Sequence, residues 1–125
     1  MTDVLTLVLP MPPNRGNARE NRYVTQKRKK AYYAAAAVAL HSQFAGKLEG
    51  WPGRATMTAT LYTYNKMDWD GRCARMKWPQ DAMVRYGLLI DDSDEYLTVN
   101  EVPKGAIDRK SPRIVITLTA TREAA

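Results

Sequence analysis

The sequence predicts an α+β fold: a mixed β-sheet packed by two main helices, with elements in the order β-α-β-α-β-β. Three observations predict it. Residues 4–9, 54–64 and 113–120 are short, rich in β-branched and apolar residues, and in part strictly alternating, as strands are. Residues 26–45 and 72–86 carry helical patterning and each stops at a glycine, Gly46 and Gly87. A chain of 125 residues with 45% hydrophobic and 26% charged residues builds one core, so residues 1–125 form a single domain.

The elements follow in order. Residues 4–9 (VLTLVL) form a buried strand that ends at Pro10. Residues 10–23 hold three prolines and three asparagines and read as a loop. Thr25 is placed to cap the first helix, in which Tyr33, Ala37, Leu40 and Phe44 share one face. The run Ala34–Ala37 lets that helix approach a sheet closely. Residues 54–64 alternate Ala55, Met57, Ala59 and Leu61 against Thr56, Thr58, Thr60 and Tyr62, a strand with two unlike faces. In the second helical region Pro79 either kinks the helix or opens its latter half. Residues 91–95 make an acidic turn, and strands over 97–102 and 113–120 are joined by a polar connection at 103–112. Met57, Met67, Met76 and Met83 read as core filling, and Trp51, Trp69 and Trp78 as packing residues.

Composition excludes several classes of protein. No stretch approaches the ~20 apolar residues of a membrane span. Lys27–Lys30 followed by an apolar run resembles a secretory leader but begins too far into the chain, and it reads as a helix with a basic entry. The one cysteine, Cys73, closes no internal disulfide and has no neighbouring histidine to activate it, which points to a reducing compartment. His41 stands alone on a helix. No phosphate-cradling glycine loop or nucleophile elbow is present, so no small-molecule cofactor is expected.

The charge is distributed in two blocks. The net charge of +6 favours a polyanionic partner. Arg15, Arg19, Arg22, Lys27, Arg28, Lys29 and Lys30 gather between residues 15 and 30, where only Glu20 is acidic, and suit phosphate contacts that position DNA without reading sequence. Basic residues at a helix N-terminus oppose the helix dipole, a cost that a bound phosphate removes. Seven of the 13 acids fall between residues 68 and 95.

Within that acidic block Asp68-Trp69-Asp70 follows a strand, and Asp91-Asp92 follows the second helix. Clustered carboxylates repel one another, and a hard cation, Mg²⁺ or Mn²⁺, relieves the repulsion. Such a metal suits phosphodiester hydrolysis, with Lys77 between the two pairs able to reach the phosphate or the attacking water.

These residues resemble the RusA-type Holliday junction resolvases along nearly the whole chain. Leu9-Pro10-Met11-Pro12-Pro13-Asn14-Arg15 is similar to the family's opening strand and proline-rich turn. Asp68-Trp69-Asp70-Gly71 resembles its D-x-D-N, and Ala74-Arg75-Met76-Lys77 the A-R-M-K of phage-type relatives. Asp81-Ala82-Met83 through Gly87-Leu88-Leu89-Ile90-Asp91-Asp92-Ser93 resembles the D-A-L…G-hydrophobic-D-D segment. Gly71 stands where the family usually has asparagine, and the interval from Asp70 to Lys77 exceeds that of the shortest members.

The resemblance implies a homodimeric, Mg²⁺-dependent endonuclease that resolves four-way DNA junctions by paired nicking in recombination and repair. It implies Asp68, Asp70, Asp92 and Lys77 as the catalytic set, with Asp68, Asp70, Asp92 and the adjacent Asp91 as metal ligands. Arg75 joins the candidate DNA contacts. The expected setting is the cytoplasm of a bacterial or phage-infected cell, with branched DNA as partner and no membrane. Two alternatives share the same residues: a branched-DNA-binding protein without turnover, and a nuclease acting on flaps or forks.

Overall fold

A computed structural model of the chain describes residues 3–13 and 22–121. The elements are β1 (Val4–Pro10), α1 (Arg22–Phe44), β2 (Ala55–Thr63), α2 (Trp69–Arg75), α3 (Lys77–Tyr86), β3 (Leu97–Val99), β4 (Lys104–Ile107) and β5 (Arg113–Ala120). The fold is α+β with a mixed five-stranded sheet, ordered β1-β5-β2-β3, and β4 also pairs with β2. β5 runs antiparallel to both β1 and β2, whereas β3 and β4 run parallel to β2.

Period-two patterning builds the core in rows. Across β1, β5 and β2 the register aligns Leu5, Leu118 and Met57, then Leu7, Ile116 and Ala59, then Leu9, Ile114 and Leu61. All nine side chains are buried. Buried Tyr32, Ala36, Leu40 and Phe44 of α1, with Trp78, Ala82 and Met83 of α3, complete the same core. The small Ala36 and Ala59 are both buried in this core. Alternate residues of the same strands form the other face, in rows Val4–Thr119–Thr56, Thr6–Thr117–Thr58, Val8–Val115–Thr60 and Pro10–Arg113–Tyr62.

The free edge of β1 is partly closed by Gln43 of α1. Its amide accepts from the Val8 N–H at 2.9 Å and donates to the Val8 carbonyl at 2.8 Å, satisfying both groups that β5 leaves unpaired. Tyr32 ties α1 to the end of β1 through a hydrogen bond to the Pro10 carbonyl at 2.9 Å. Burial drives its phenol pKa well above the ordinary tyrosine value. Tyr33 bridges to α3: its hydroxyl donates to Asp81 Oδ2 at 2.9 Å and the Arg85 guanidinium lies 4.2 Å from its ring centroid.

Several expectations change. α1 begins by Arg22, so Thr25 lies inside the helix rather than capping it. Its buried stripe is Tyr32, Ala36, Leu40 and Phe44, displacing Tyr33 and Ala37; Ala37 is exposed. Four consecutive alanines do not mark which side faces the core, so the stripe is set by the large residues. The second helical region is two helices that break at Met76, and Pro79 lies in the first turn of α3, where a missing N–H is tolerated. Gly87 ends α3 in the left-handed region at φ 101°, as its position foretold. The strand over 97–102 is only Leu97–Val99, and residues 104–107 of the expected connection form β4. Thr58 and Ala59 separate the two stretches of β2 paired by β3 and β4, while residues 100–103 bridge them, so the chain bulges there.

Candidate functional site: two acidic pairs at opposite ends of one strand

Asp68 and Asp70 belong to the C-terminal end of β2. Asp68 is the N-cap of α2, with Oδ1 accepting from the Gly71 N–H at 2.9 Å. Asp70 lies in the first turn of that helix, and both carboxylates are exposed. Trp69 between them is 60% exposed, so the expected packing role does not hold. Met67 is the residue of this segment that packs against the core, with Met57, Met76 and Met83 buried inside it.

Gly71 has a local reason. A Cβ there would lie 2.8 Å from Met67 Cγ and 3.1 Å from Asp68 Oδ1. The Met67 side chain occupies the space that an asparagine at this position would need.

Arg72, which no motif marks, fixes the stem of the segment. Its Nε donates to the Pro103 carbonyl at 2.6 Å and its Nη1 to the Met67 carbonyl at 2.5 Å. The guanidinium passes over Gly105, where a Cβ would lie 3.0 Å from Arg72 Cδ. Since Gly105 pairs with Leu61, this bond set ties α2 to the C-terminal half of β2. Two grooves flank the stem, of about 440 and about 260 Å³, and both are lined by Thr63, Lys66 and Met67.

Asp91 and Asp92 lie at the other end. The Ile90 N–H donates to the Gly53 carbonyl at 2.9 Å, and Leu97 pairs with Ala55, the first residue of β2. The exposed pair therefore stands beside the start of β2. Trp51 fastens this end, donating from Nε1 to the Leu88 carbonyl at 2.7 Å.

The separation follows from topology. β2, α2, α3 and β3 form a strand-helix-strand unit with parallel strands. In such a unit the residues that leave the first strand and those that enter the second lie at opposite ends of the sheet. A nine-residue strand such as β2 is roughly 27 Å long. Among the described residues no three His, Cys, Asp or Glu side chains are grouped to hold a metal ion. The donor chemistry suits Mg²⁺, being carboxylate oxygen throughout, and each pair supplies two of the donors that Mg²⁺ combines with waters and phosphate oxygens.

The cations are distributed as follows. Arg22, Lys27, Arg28 and Lys30 are exposed on α1, and Lys29 is half-buried with Nζ 5.8 Å from the Tyr33 ring centroid. Arg15 and Arg19 lie outside the described residues. Lys77 opens α3 and is exposed. Arg75 is half-buried and donates from Nη1 to the Pro12 carbonyl at 2.9 Å, so it joins α2 to the proline segment; burial lowers its pKa. Sequence reasoning passed over two further arginines at this end that stack on tyrosines: Arg109 lies 5.4 Å from the Tyr64 ring centroid and Arg113 4.2 Å from that of Tyr62. Arg113 also pairs with Asp108 at 2.8 Å, a bond that holds the Asp108 carboxyl below its ordinary pKa. Arg113 and Tyr62 are cross-strand partners of β5 and β2, a neighbourhood that strand pairing alone reveals.

No protein-family model matches the chain, and no curated protein matches it. No helix among the described residues is long and apolar enough to cross a membrane.

Proposed function

We propose that this chain is a metal-dependent endonuclease acting on branched DNA, with the four-way junction as its substrate and two copies as its working unit. The observation that carries this reading is the exposed Asp68-x-Asp70 pair, held by a helix N-cap at the end of the sheet that also gathers Lys66, Arg72, Arg75, Arg109 and Arg113. Carboxylates exposed among cations in a chain of net charge +6 weaken DNA binding unless they serve chemistry. The motif resemblance to RusA-type resolvases supports the same reading.

In this proposal Asp68, Asp70 and Asp92, with Asp91 adjacent, hold Mg²⁺, for which Mn²⁺ substitutes. When bound, the ion supplies an acidified water and positive charge against the phosphate. Lys77 stabilises the negative charge that builds on the scissile group. Arg22 and Lys27–Lys30, with Arg15 and Arg19, hold the DNA backbone. Because the two pairs lie at opposite ends of β2, Asp68 and Asp70 of one copy work with Asp91 and Asp92 of the other. Two such sites related by a two-fold axis match the approximate two-fold symmetry of a junction.

The test is cleavage of end-labelled junction, fork, flap and linear duplex, with and without Mg²⁺ or Mn²⁺. The expected result is metal-dependent nicking that favours the junction. Preference for flap or fork would move the substrate assignment. A second reading, a branched-DNA binder without turnover, is favoured by Gly71, which stands where the resembled family has asparagine. It predicts a junction gel shift and no nicking at any metal concentration.

A further inference from the structure

The helices cover one face of the sheet, and the other is open to solvent. On the open face Lys104 lies in register with Thr60 and Arg113 with Tyr62, so β4 and β5 set a cation on each side of β2. Residues 104–113 carry four cations, Lys104, Arg109, Lys110 and Arg113, against one acid, Asp108. Asp108 pairs with Arg113 at 2.8 Å. The rows toward the other end, Thr6–Thr117–Thr58 and Val4–Thr119–Thr56, hold no acid. The face is thus positive at one end and neutral along those rows, and a polyanion meets little opposing charge on it.

The positive end is also aromatic. Tyr62 lies in β2 and Tyr64 just past it, two positions apart. Each ring has a guanidinium over it, Arg113 at 4.2 Å from the Tyr62 centroid and Arg109 at 5.4 Å from that of Tyr64. The Asp108 N–H donates to the Thr63 carbonyl at 2.9 Å, which keeps the segment carrying Arg109 beside the strand end. Tyr64 is 58% exposed. Cations alone would suit any polyanion. Rings and guanidinium planes interleaved with them suit nucleobases, whose faces are free only in an unpaired strand. The cations of α1 lie on the other side of the sheet, because α1 packs on the buried face through Tyr32, Ala36, Leu40 and Phe44.

We propose that the open face binds single-stranded nucleic acid, with bases stacking on the Tyr62–Arg113 and Tyr64–Arg109 pairs and phosphates on Lys104 and Lys110. This surface is separate from the α1 cations assigned to duplex arms above, and it uses neither carboxylate nor metal. DNA and RNA strands share the chemistry it recognises.

Fluorescence anisotropy of the full chain with labelled oligo-dT and oligo-rU of about 15 nucleotides, in chelator at low salt, should show binding. Preference for one strand names the source, and either upholds the proposal. Tyr64→Ala should weaken binding at least about fivefold, whereas Tyr64→Phe should not, because the stacking ring remains. Lys104→Ala should lower the slope of log affinity against log salt by about 0.7. Lys47→Ala, an exposed cation just past α1, should leave binding unchanged. Iodouracil-substituted strands should photo-cross-link to the peptide that holds Tyr62 and Tyr64, a readout on the wild-type chain that needs no variant to fold. Lack of binding to both strands, or cross-links confined to α1, overturns the proposal. A heparin fragment that competes fully, together with binding indifferent to Tyr64→Ala, overturns base stacking in favour of a site for any polyanion. Junction cleavage enters none of these measurements, so failure here and failure of the nuclease reading are distinguishable.

Discussion

The two ends of β2 carry the same chemical group in unlike settings. At the C-terminal end Asp68 and Asp70 sit on a helix N-terminus braced by Arg72, at the end of the sheet that also carries Lys66, Arg109 and Arg113. At the N-terminal end Asp91 and Asp92 sit in a turn with Asp94 and Glu95, held by the Ile90–Gly53 hydrogen bond and by Trp51. Four carboxylates within 25 positions of sequence are thus split by one strand-helix-strand unit into two separate pairs. In a fold of this kind, closeness along the chain is a poor guide to which acids meet, and the direction of the flanking strands is a better one.

The largest expected effect tests both ends together. Asp70→Asn and Asp92→Asn should each lower junction cleavage by a factor of about 10²–10³ or more, as loss of transition-state stabilisation does. Asp70→Asn should bind the junction at least as tightly as wild type in a gel shift, because a negative charge near the phosphates is removed. Loss from one variant only would leave the other end without a part in the chemistry.

Next comes the brace at the C-terminal end. Arg72→Ala removes two hydrogen bonds from a guanidinium to backbone carbonyls, and chemical denaturation should show a loss of about 2–3 kcal/mol. At the N-terminal end Gly53 has φ 74°, and a Cβ there would lie 2.9 Å from Ile90 Cγ1. Gly53→Ala should cost about 1–2 kcal/mol, and hydrogen exchange at the Ile90 amide should quicken.

The smallest effect belongs to the α1–α3 contact, remote from both ends. Burial and the bond to Asp81 push the Tyr33 pKa up to about 12, above the ordinary value of 10.0. Folding therefore favours the protonated phenol. That contribution is fully present below pH 10 and is lost as the pH rises through 12. Absorbance titration should show Tyr33 ionising late, and Tyr33→Phe should remove that step and flatten the alkaline loss of stability.

Much of the fold was legible in the sequence. The alternation of Ala55, Met57, Ala59 and Leu61 with threonines read directly as a two-faced strand, and Gly87 marked the end of α3, because local patterning decides both. The break at Met76 was not legible, since the residues around it are helix-compatible on both sides. β4 was hidden because its few residues are largely exposed and carry no period. The rotation of α1 was obscured by its alanines. At the candidate site the acidic pairs themselves were legible, but their separation depends on β3 lying parallel to β2, a fact of pairing that no residue of either motif encodes.

Action of the two acidic pairs across copies, as proposed, is read out by mixing two inactive variants. In a pair made of one Asp70→Asn chain and one Asp92→Asn chain, one site holds both changes and the other holds neither. Combining the two after joint refolding should therefore restore nicking of a four-way junction to a fraction of the wild-type rate, with single rather than paired cuts. A mixture as inactive as its parents, under conditions where exchange of copies is demonstrated, would show that the two acidic pairs do not act across copies.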